Sequence, residues 1–293
     1  MKFGSVCSGI EAASVALNPL GWQAEFVSEI DPFCCAVLNH HYPNVPNYGD
    51  ITKIEKPSAI AVLVGGTPCQ SFSITGLRDG MAATSGQLAL AFCRVALASH
   101  ARWVVWENVP GALSSNDGRD FGSIVAALVQ LGYGVAWRVL DASGFGVPQR
   151  RRRLFLVGHL GDNCRAGAVL FDSPARRQNA RPTKAEQTEA KPLFRTSRDT
   201  CFGWTGDETP KHVNDGLPTL RAYQGGEGIG IVSETEFRRL TIGEYERAQG
   251  FPGGYTNIEG ASDRQRRQSV GNAFCVQVIR WIGSRIQEVE RHG

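Results

Sequence analysis

No long run of apolar residues free of charge occurs in the 293-residue sequence, which excludes a membrane-spanning helix from the expectations. Met1-Lys2 leads straight into an apolar, strand-like segment without the h-region and cleavage site of a secretory signal. A cytoplasmic protein is expected. A large charge excess is also missing. The net charge is +3, so any contact with a polyanion must come from local basic clusters. No two of the cysteines at 7, 34, 35, 69, 93, 164, 201 and 275 have Cys-x-x-Cys spacing. A zinc site is poorly supported and no metal is expected. Several cysteines lie in apolar runs, as Cys93 does in LALAFCRVAL, and read as reduced core residues. The first strand is not followed by Gly-x-Gly-x-x-Gly. A pyrophosphate needs such close backbone approach, so a nicotinamide-dependent oxidoreductase is disfavoured and a nucleoside ligand without a pyrophosphate suits better. There is no internal repeat.

What is present is enough apolar residue, 42%, for one large domain or one large and one small domain. Strand candidates are Phe3 to Val6, Glu25 to Ser28, Ala61 to Val64, Trp103 to Trp106, Gly134 to Leu140 and Leu154 to Gly158. Helix candidates lie between and after them. Pro32 to His40 follows the capping Asp31. Ser85 to Ala98 follows a capping-box pattern at Thr84-Ser85-Gly86-Gln87. Asp120 to Leu131 ends at Gly132. A second capping box at Thr241 and Glu244 opens a helix to Gly250, and a last helix runs from about Phe274 to Val289. This alternation predicts an α/β fold with a mostly parallel sheet and helices on both faces. Composition shifts after Phe171. Residues 173–200 are polar and aperiodic and read as a linker. Residues 201–232 read as a small irregular β-rich module. The expected division is a catalytic and cofactor-binding domain over 1–171, completed by 262–293, with a recognition region over 172–261.

In such a sheet, ligands bind beyond the carboxyl ends of the strands. After the first strand comes the tight turn Cys7-Ser8-Gly9-Ile10-Glu11. After the second come Glu29, twenty residues past Gly9, and Ile30 and Asp31. An acidic residue at Glu29 can accept hydrogen bonds from both hydroxyls of a ribose. Asp31 reads as a helix cap. At Gly49-Asp50-Ile51, Asp50 either receives an adenine amino group or forms an Asx-turn. After the third core strand comes Gly65-Gly66-Thr67-Pro68-Cys69-Gln70-Ser71-Phe72-Ser73. The glycines permit a sharp turn and Pro68 stiffens it. Cys69 is thus placed on a rigid loop with polar neighbours, where a nucleophile belongs. After the fourth strand comes Glu107-Asn108-Val109-Pro110. Adjacent strands are about 4.8 Å apart, so a thiol and a carboxyl can share one pocket. Finally, Arg150 to Arg153 precede an apolar strand. Alternation puts Arg151 and Arg153 on one face and Arg150 and Arg152 on the other; a solvated strand edge is the competing reading.

GGTPCQSFS, ENV, VPQRRRRLF, RLTIGEYERAQGFP and QSVGNAF occur here in that order. Together they resemble the DNA (cytosine-5)-methyltransferase family of bacteria and phages, over nearly the whole chain apart from roughly residues 160–237. The resemblance implies a Rossmann-like fold of the S-adenosylmethionine-dependent methyltransferases with a small irregular recognition domain. It implies S-adenosylmethionine as methyl donor, double-stranded DNA as partner, and a monomer in the bacterial cytoplasm at the nucleoid. It gives the cofactor Cys7, Ser8, Gly9, Ile10, Glu29, Ile30, Asp50, Ile51, Pro68, Asn272 and Ala273. It gives catalysis Cys69, Gln70, Glu107, Arg151 and Arg153, with Glu107 on cytosine nitrogen 3, Arg153 facing the base and Arg151 nearer the backbone. It gives DNA Ser71, Arg78, Gln149, Arg150, Thr219, Leu220 and Arg221. The sequence departs from the family at SVCSGIEAAS, where an aromatic and more glycines are common. It also departs at Ile242, a common proline, and at Phe274, a smaller aliphatic elsewhere.

The implied chemistry is thiolate addition to carbon 6 of a flipped cytosine, methyl transfer to carbon 5, then loss of the carbon 5 proton and of Cys69. Residues 71–87 are expected to close over the base. Arg150, Arg152 and the run Arg264-Gln265-Arg266-Arg267 are candidate phosphate contacts, the last equally a solvated helix end. Two alternatives stay open. One is an RNA (tRNA) cytosine-5 methyltransferase on the same scaffold, since the recognition region is short and Cys201-Phe202 resembles a Cys-Phe-Thr signature with Gly203 for the Thr. The other is a non-catalytic DNA-binding relative, against which intact Pro68-Cys69-Gln70 and Glu107-Asn108-Val109 argue.

Overall fold

The structure is a computed structural model that describes residues 1–67, 84–171, 200–204, 211–213, 217–220, 228–232 and 237–292. Its main sheet contains β1 (Lys2–Val6), β2 (Gln23–Phe26), β3 (Val62–Gly65), β4 (Trp103–Asn108), β5 (Tyr133–Asp141) and β6 (Arg152–Leu160). The spatial order is β2-β1-β3-β4-β6-β5. β1 pairs in parallel with β2 and β3, and β3 with β4. β6 alone runs against its neighbours β4 and β5. The mostly parallel sheet expected from the alternating pattern is therefore present.

The period of two along each strand sorts side chains to the two faces. Val62, Val64, Trp103, Val105, Phe155 and Val157 enter one apolar cluster. Leu63, Val104, Trp106, Leu154 and Leu156 enter the other. The first cluster is covered by α1 (Ala12–Leu17), α5 (Asn163–Leu170) and α8 (Val276–His292), the second by α3 (Thr84–Ala98) and α4 (Arg119–Gln130). Strands β3 and β4 are buried at every residue, as parallel strands roofed on both sides must be. α2 (Pro32–His41) opens on Asp31, whose side chain accepts from the Cys34 N–H, with Pro32 in its first turn.

The ends of elements differ from the sequence reading for identifiable reasons. β2 begins and stops two residues earlier than expected. The Phe26 ring lies over Gly4, where a Cβ would meet it at 2.3 Å, and the β1–β2 register shifts between Phe3 and Gly4. Val27 then bridges to Asn47 instead of continuing beside β1. The short helix α5 had no sequence expectation; it is capped by Asp162, which accepts from the Cys164 and Arg165 N–H groups. α6 (Ile242–Gln249) carries the expected capping box of Thr241 and Glu244. α7 (Asp263–Asn272) has a second one, Ser262 with Gln265, that the sequence reading passed over.

A separate antiparallel sheet has the order β10-β9-β7-β8, from β7 (Thr200–Trp204), β8 (Lys211–Val213), β9 (Gly228–Val232) and β10 (Phe237–Arg239). Leu240, Tyr245, Ala248, Phe251 and Tyr255 belong to the same apolar cluster as α1 and α8. Among the described residues, no helix is long and apolar enough to cross a membrane. The linker expected at 173–200 lies outside the described residues apart from its last position.

Candidate active site at the carboxyl edge of the sheet

The turn after β1 is wound tightly. Cys7, Gly9 and Glu11 all have positive φ, 49°, 55° and 64°. Such backbone is costly for a residue with a Cβ, and it is held by partners in β1 and in the segment that follows β2. The Ser8 hydroxyl donates to the Ser5 and Ser28 carbonyls. The Glu29 carboxylate accepts the Gly9 N–H at 2.7 Å, and its other oxygen accepts those of Ile30 and Asp31 at 2.8 and 2.9 Å. Glu29 therefore fastens the first turn to the second strand end and keeps an acceptor position open on the oxygen that binds Gly9. Ile30 beside it is 71% exposed. Asp50 forms the Asx-turn: one oxygen accepts the N–H and hydroxyl of Thr52 at 2.9 and 2.8 Å. These hydrogen bonds hold its carboxyl below its ordinary pKa, and its second oxygen lies 4.0 Å from Lys53.

At the other end of the edge, β3 and β4 finish side by side, with Gly65 opposite Trp106. The indole N–H of Trp106 donates to the Thr67 hydroxyl at 3.0 Å, and the Asn108 amide donates to the Thr67 carbonyl at 3.1 Å. Glu107 points the opposite way from Trp106. Its Oε1 lies 3.3 Å from Nε of Arg153, yet accepts no hydrogen bond among the described residues. Burial pushes the Glu107 carboxyl above its ordinary pKa, while Arg151 and Arg153 oppose the rise.

The four arginines alternate. Arg150 and Arg152 are exposed, Arg151 is buried and Arg153 half-buried. Arg151 donates to the carbonyls of Leu220 and Gly271, both at 3.1 Å, and of Ala273 at 2.9 Å. Burial lowers its pKa to about 10. Gln149 donates to the Ala248 carbonyl and the Gln249 side chain and accepts the Leu220 N–H at 2.9 Å. Gln149 and Leu220 are both fully buried. For Gln149 this corrects the expected contact with DNA, because its amide is spent on the protein interior; Leu220 is packed in the core at the wall of a cavity. Residues 217–220 dock along this stretch: the Leu217 N–H donates to the Pro148 carbonyl, the Leu217 carbonyl accepts from the Arg150 N–H, and the Thr219 hydroxyl donates to the Arg150 carbonyl.

Both ends open into one cavity of about 980 Å³. Of the residues expected at a cofactor, Cys7, Gly9, Glu29, Ile30, Asp50, Ile51 and Asn272 line it. Ser8, Ile10 and Ala273 do not; they support it from behind. The Ile10 carbonyl accepts from the Tyr255 hydroxyl at 2.9 Å, and the Ala273 carbonyl is held by Arg151. Glu107, Arg151, Arg153, Thr219 and Leu220 line the other end. Glu29, Asp31 and Asp50 make the first end acidic, and the lining cations, Arg151 and Arg153, lie at the second. That charge distribution suits a cationic nucleoside and disfavours a phosphate. Gln265, Gln268 and Ser269 of α7 also line the cavity; the sequence reading quoted them only within the run 264–267 and the QSVGNAF motif and gave none of them a place at the site, although the Ser262 capping box, which places a helix start here, was an available signal. In the run at 264–267, Arg266 pairs with buried Glu246 at 3.4 Å and Arg267 lies over the Tyr245 ring. Of these three, Arg264 is exposed and Arg266 and Arg267 are half-buried.

Pro68, Cys69, Gln70, Ser71, Arg78 and Arg221 lie outside the described residues. Among the described thiols, burial pushes Cys7 and Cys93 up to about 12 and Cys275 up to about 11. A thiol that holds its proton so firmly is a poor nucleophile.

A model of the C-5 cytosine-specific DNA methylases matches residues 1–202 and 186–288. The chain is 28% identical over 305 residues to the type II methyltransferase M2.BsuMI of Bacillus subtilis, covering 98% of this chain and 76% of that protein. It is 30% identical over 301 residues to the type II methyltransferase M.MspI of a Moraxella species, covering 97% and 70%. A protein of Escherichia phage P1 named DNA N-6-adenine-methyltransferase is 29% identical over 458 residues, which span 97% of this chain and only 61% of that longer protein. In fold, the chain resembles the crystal structure of a DNA modification methyltransferase encoded within an Escherichia coli prophage, with a TM-score of 0.68, 16% identity and 99% coverage of both chains.

Proposed function

The chain belongs to the C-5 cytosine-specific DNA methylase family, and from that premise we propose that it transfers a methyl group from S-adenosylmethionine to carbon 5 of a cytosine flipped out of duplex DNA, with Cys69 as nucleophile. The observation that carries the reading is the carboxyl of Glu107, raised in pKa by burial, beside Arg153 in a cavity whose far end is acidic. The donor set fits S-adenosylmethionine. Glu29 keeps an acceptor position for a ribose hydroxyl, exposed Ile30 offers a flat apolar contact for adenine, and Asp50 and Asn272 line the same end. Bound there, the cofactor supplies a methyl group on a positively charged sulfur.

The rest of the work falls to the chain. Cytosine carbon 5 is a poor nucleophile, and thiolate addition to carbon 6 makes it electron-rich. Glu107 holds a proton at ring nitrogen 3 and draws charge from the ring as the bond to carbon 6 forms, a role that requires its raised pKa. Arg153 stabilises the carboxylate form and the incoming thiolate. Loss of the carbon 5 proton to a base then breaks the Cys69–carbon 6 bond and restores the ring. Arg151 and Gln149 touch backbone carbonyls and each other's neighbours, so they position the site. Exposed Arg150 and Arg152 are placed to meet phosphates. The target-reading unit is drawn here as 172–239, because Leu240, Tyr245 and Phe251 belong with the core of the main sheet.

The test is a covalent trap. Duplex DNA containing 5-fluorocytosine, incubated with the protein and S-adenosylmethionine, yields an adduct stable to denaturing electrophoresis, because fluorine cannot leave as the proton does. Cys69→Ser forms none and still binds the cofactor. Turnover retained by Cys69→Ser overturns the nucleophile. Methylation of adenine in place of cytosine, the activity named for the phage P1 relative, overturns the substrate. Transfer to RNA but not to DNA moves the chain to the RNA alternative.

A further inference from the structure

We propose that Trp106 and Thr67 form a positioning pair that sets the nucleophile loop against the catalytic carboxyl. The inference rests on the function proposed above and deepens it. Glu107 and Trp106 are consecutive on β4, so their side chains leave the sheet in opposite directions. Glu107 enters the cavity, while Trp106 is fully buried in the other cluster and stacks on Phe121 of α4 with centroids 6.3 Å apart. Its indole N–H reaches the Thr67 hydroxyl at 3.0 Å. Thr67 is 2% exposed and is the last described residue before Pro68-Cys69. A buried N–H with a single acceptor fixes that acceptor strongly, because losing it strands the donor.

The backbone that leads into Thr67 leaves little freedom. A Cβ at Gly65 would stand 2.7 Å from Val6, and one at Gly66 would stand 2.6 Å from the ring of Phe274. The register pairs Gly65 directly with Trp106. The strand that carries the carboxyl thus carries, one residue earlier, the group that fixes the hydroxyl two residues before the thiol. Asn108 holds the Thr67 carbonyl and Trp106 holds its hydroxyl, so the indole bond is the one that fixes the side chain of the residue from which the nucleophile loop departs. Displacement of a reacting group by about 1 Å can cost a hundredfold in rate.

The experiment compares Thr67→Val, Thr67→Ser, Trp106→Phe and the double variant Trp106→Phe/Thr67→Val by steady-state methylation of duplex DNA, by the rate of 5-fluorocytosine adduct formation, and by thermal unfolding. Thr67→Val and Trp106→Phe each lower kcat and adduct rate about tenfold, with KM for S-adenosylmethionine and for DNA within about twofold. Thr67→Ser keeps the hydroxyl and restores turnover. Thr67→Val also loses thermal stability, because the indole donor is stranded. Trp106→Phe has a packing cost of its own, so the double variant is compared with it: with the donor gone, adding Thr67→Val lowers the unfolding midpoint no further, while kcat stays about tenfold low. Wild-type kcat in Thr67→Val overturns the pair, as does a Thr67→Val loss of stability that is equally large in the wild-type and the Trp106→Phe backgrounds. A wild-type protein that neither methylates cytosine nor forms the adduct fails the functional reading itself, which separates the two failures.

Discussion

Replacing Glu11 by Gln should stabilise the protein above neutral pH and leave it nearly unchanged in mild acid. Glu11 is fully buried at the start of α1. Its Oε1 accepts from the N–H and the hydroxyl of Ser14 at 3.0 and 2.9 Å. Among the described residues, its Oε2 has no hydrogen-bond partner, and neither has the nearby Ser5 hydroxyl. No cation among the described residues acts on the carboxyl. Burial dominates and raises its pKa from 4.5 to about 7, against the opposing hydrogen bonds from Ser14. Between these two values the unfolded chain releases the proton and the folded chain keeps it. Stability therefore falls as pH rises from 4.5 toward about 7 and is flat beyond. The shift corresponds to about 3 kcal/mol at the alkaline plateau. Gln has the same shape and no charge. Its oxygen can take the Ser14 contacts and its amide can donate to Ser5. Denaturant unfolding at pH 5 and pH 8 measures the difference. At pH 5 the two proteins should be close. At pH 8 the variant should exceed the wild type by about 2 to 3 kcal/mol, the buried-charge penalty less the imperfect fit of an amide. A difference that does not change with pH, or a wild type that is the more stable at pH 8, would refute the reasoning.

Glu107→Gln should lower the rate of methyl transfer by about a hundredfold or more while cofactor binding measured by calorimetry stays unchanged; near wild-type turnover would remove Glu107 from the mechanism. Because burial raises the Glu107 pKa and Arg153 opposes the rise, the alkaline limb of the kcat profile should move to higher pH in Arg153→Gln, on top of a general loss of rate; a limb that moves to lower pH contradicts the assignment. Glu29→Ala removes the acceptor of three backbone N–H groups and should weaken S-adenosylmethionine binding about tenfold or more with little change in DNA binding; unchanged cofactor affinity counts against its role. Gly66→Ala should cost about 1 to 3 kcal/mol through the clash with Phe274, and Phe274→Val should relieve it in the double variant; additive losses in chemical denaturation would show that the two do not touch.

How much of this was legible in the sequence depended on where each partner lies. The sheet could be read because burial on both faces leaves continuous apolar runs at β3 and β4, and helix ends could be read from residues three apart, as at Thr241 and Glu244. The alternation of Arg150 to Arg153 could be read from the period of a strand alone. β2 was misplaced by two residues because its register is set by the Phe26 ring over Gly4, a contact between strands. Gln149 was misassigned because its polar side chain suggests solvent or DNA, whereas its partners are 71 to 100 positions away. Arg151 has the same character, with carbonyl partners 69, 120 and 122 positions away. Backbone carbonyls belong to every residue type, so no sequence pattern marks them. Gln149, Arg150 and Arg151 hold residues 217–220 largely through backbone groups, and the same Arg151 grips the turn beneath Asn272 at the cofactor end. The side chains of the segment are tied as well, Leu217 and Leu220 into the core and the Thr219 hydroxyl to the Arg150 carbonyl. The seat beside β6, the strand that brings Arg153 to Glu107, is therefore fixed by main chain and side chains together, and only the main-chain part of it leaves no mark in the sequence.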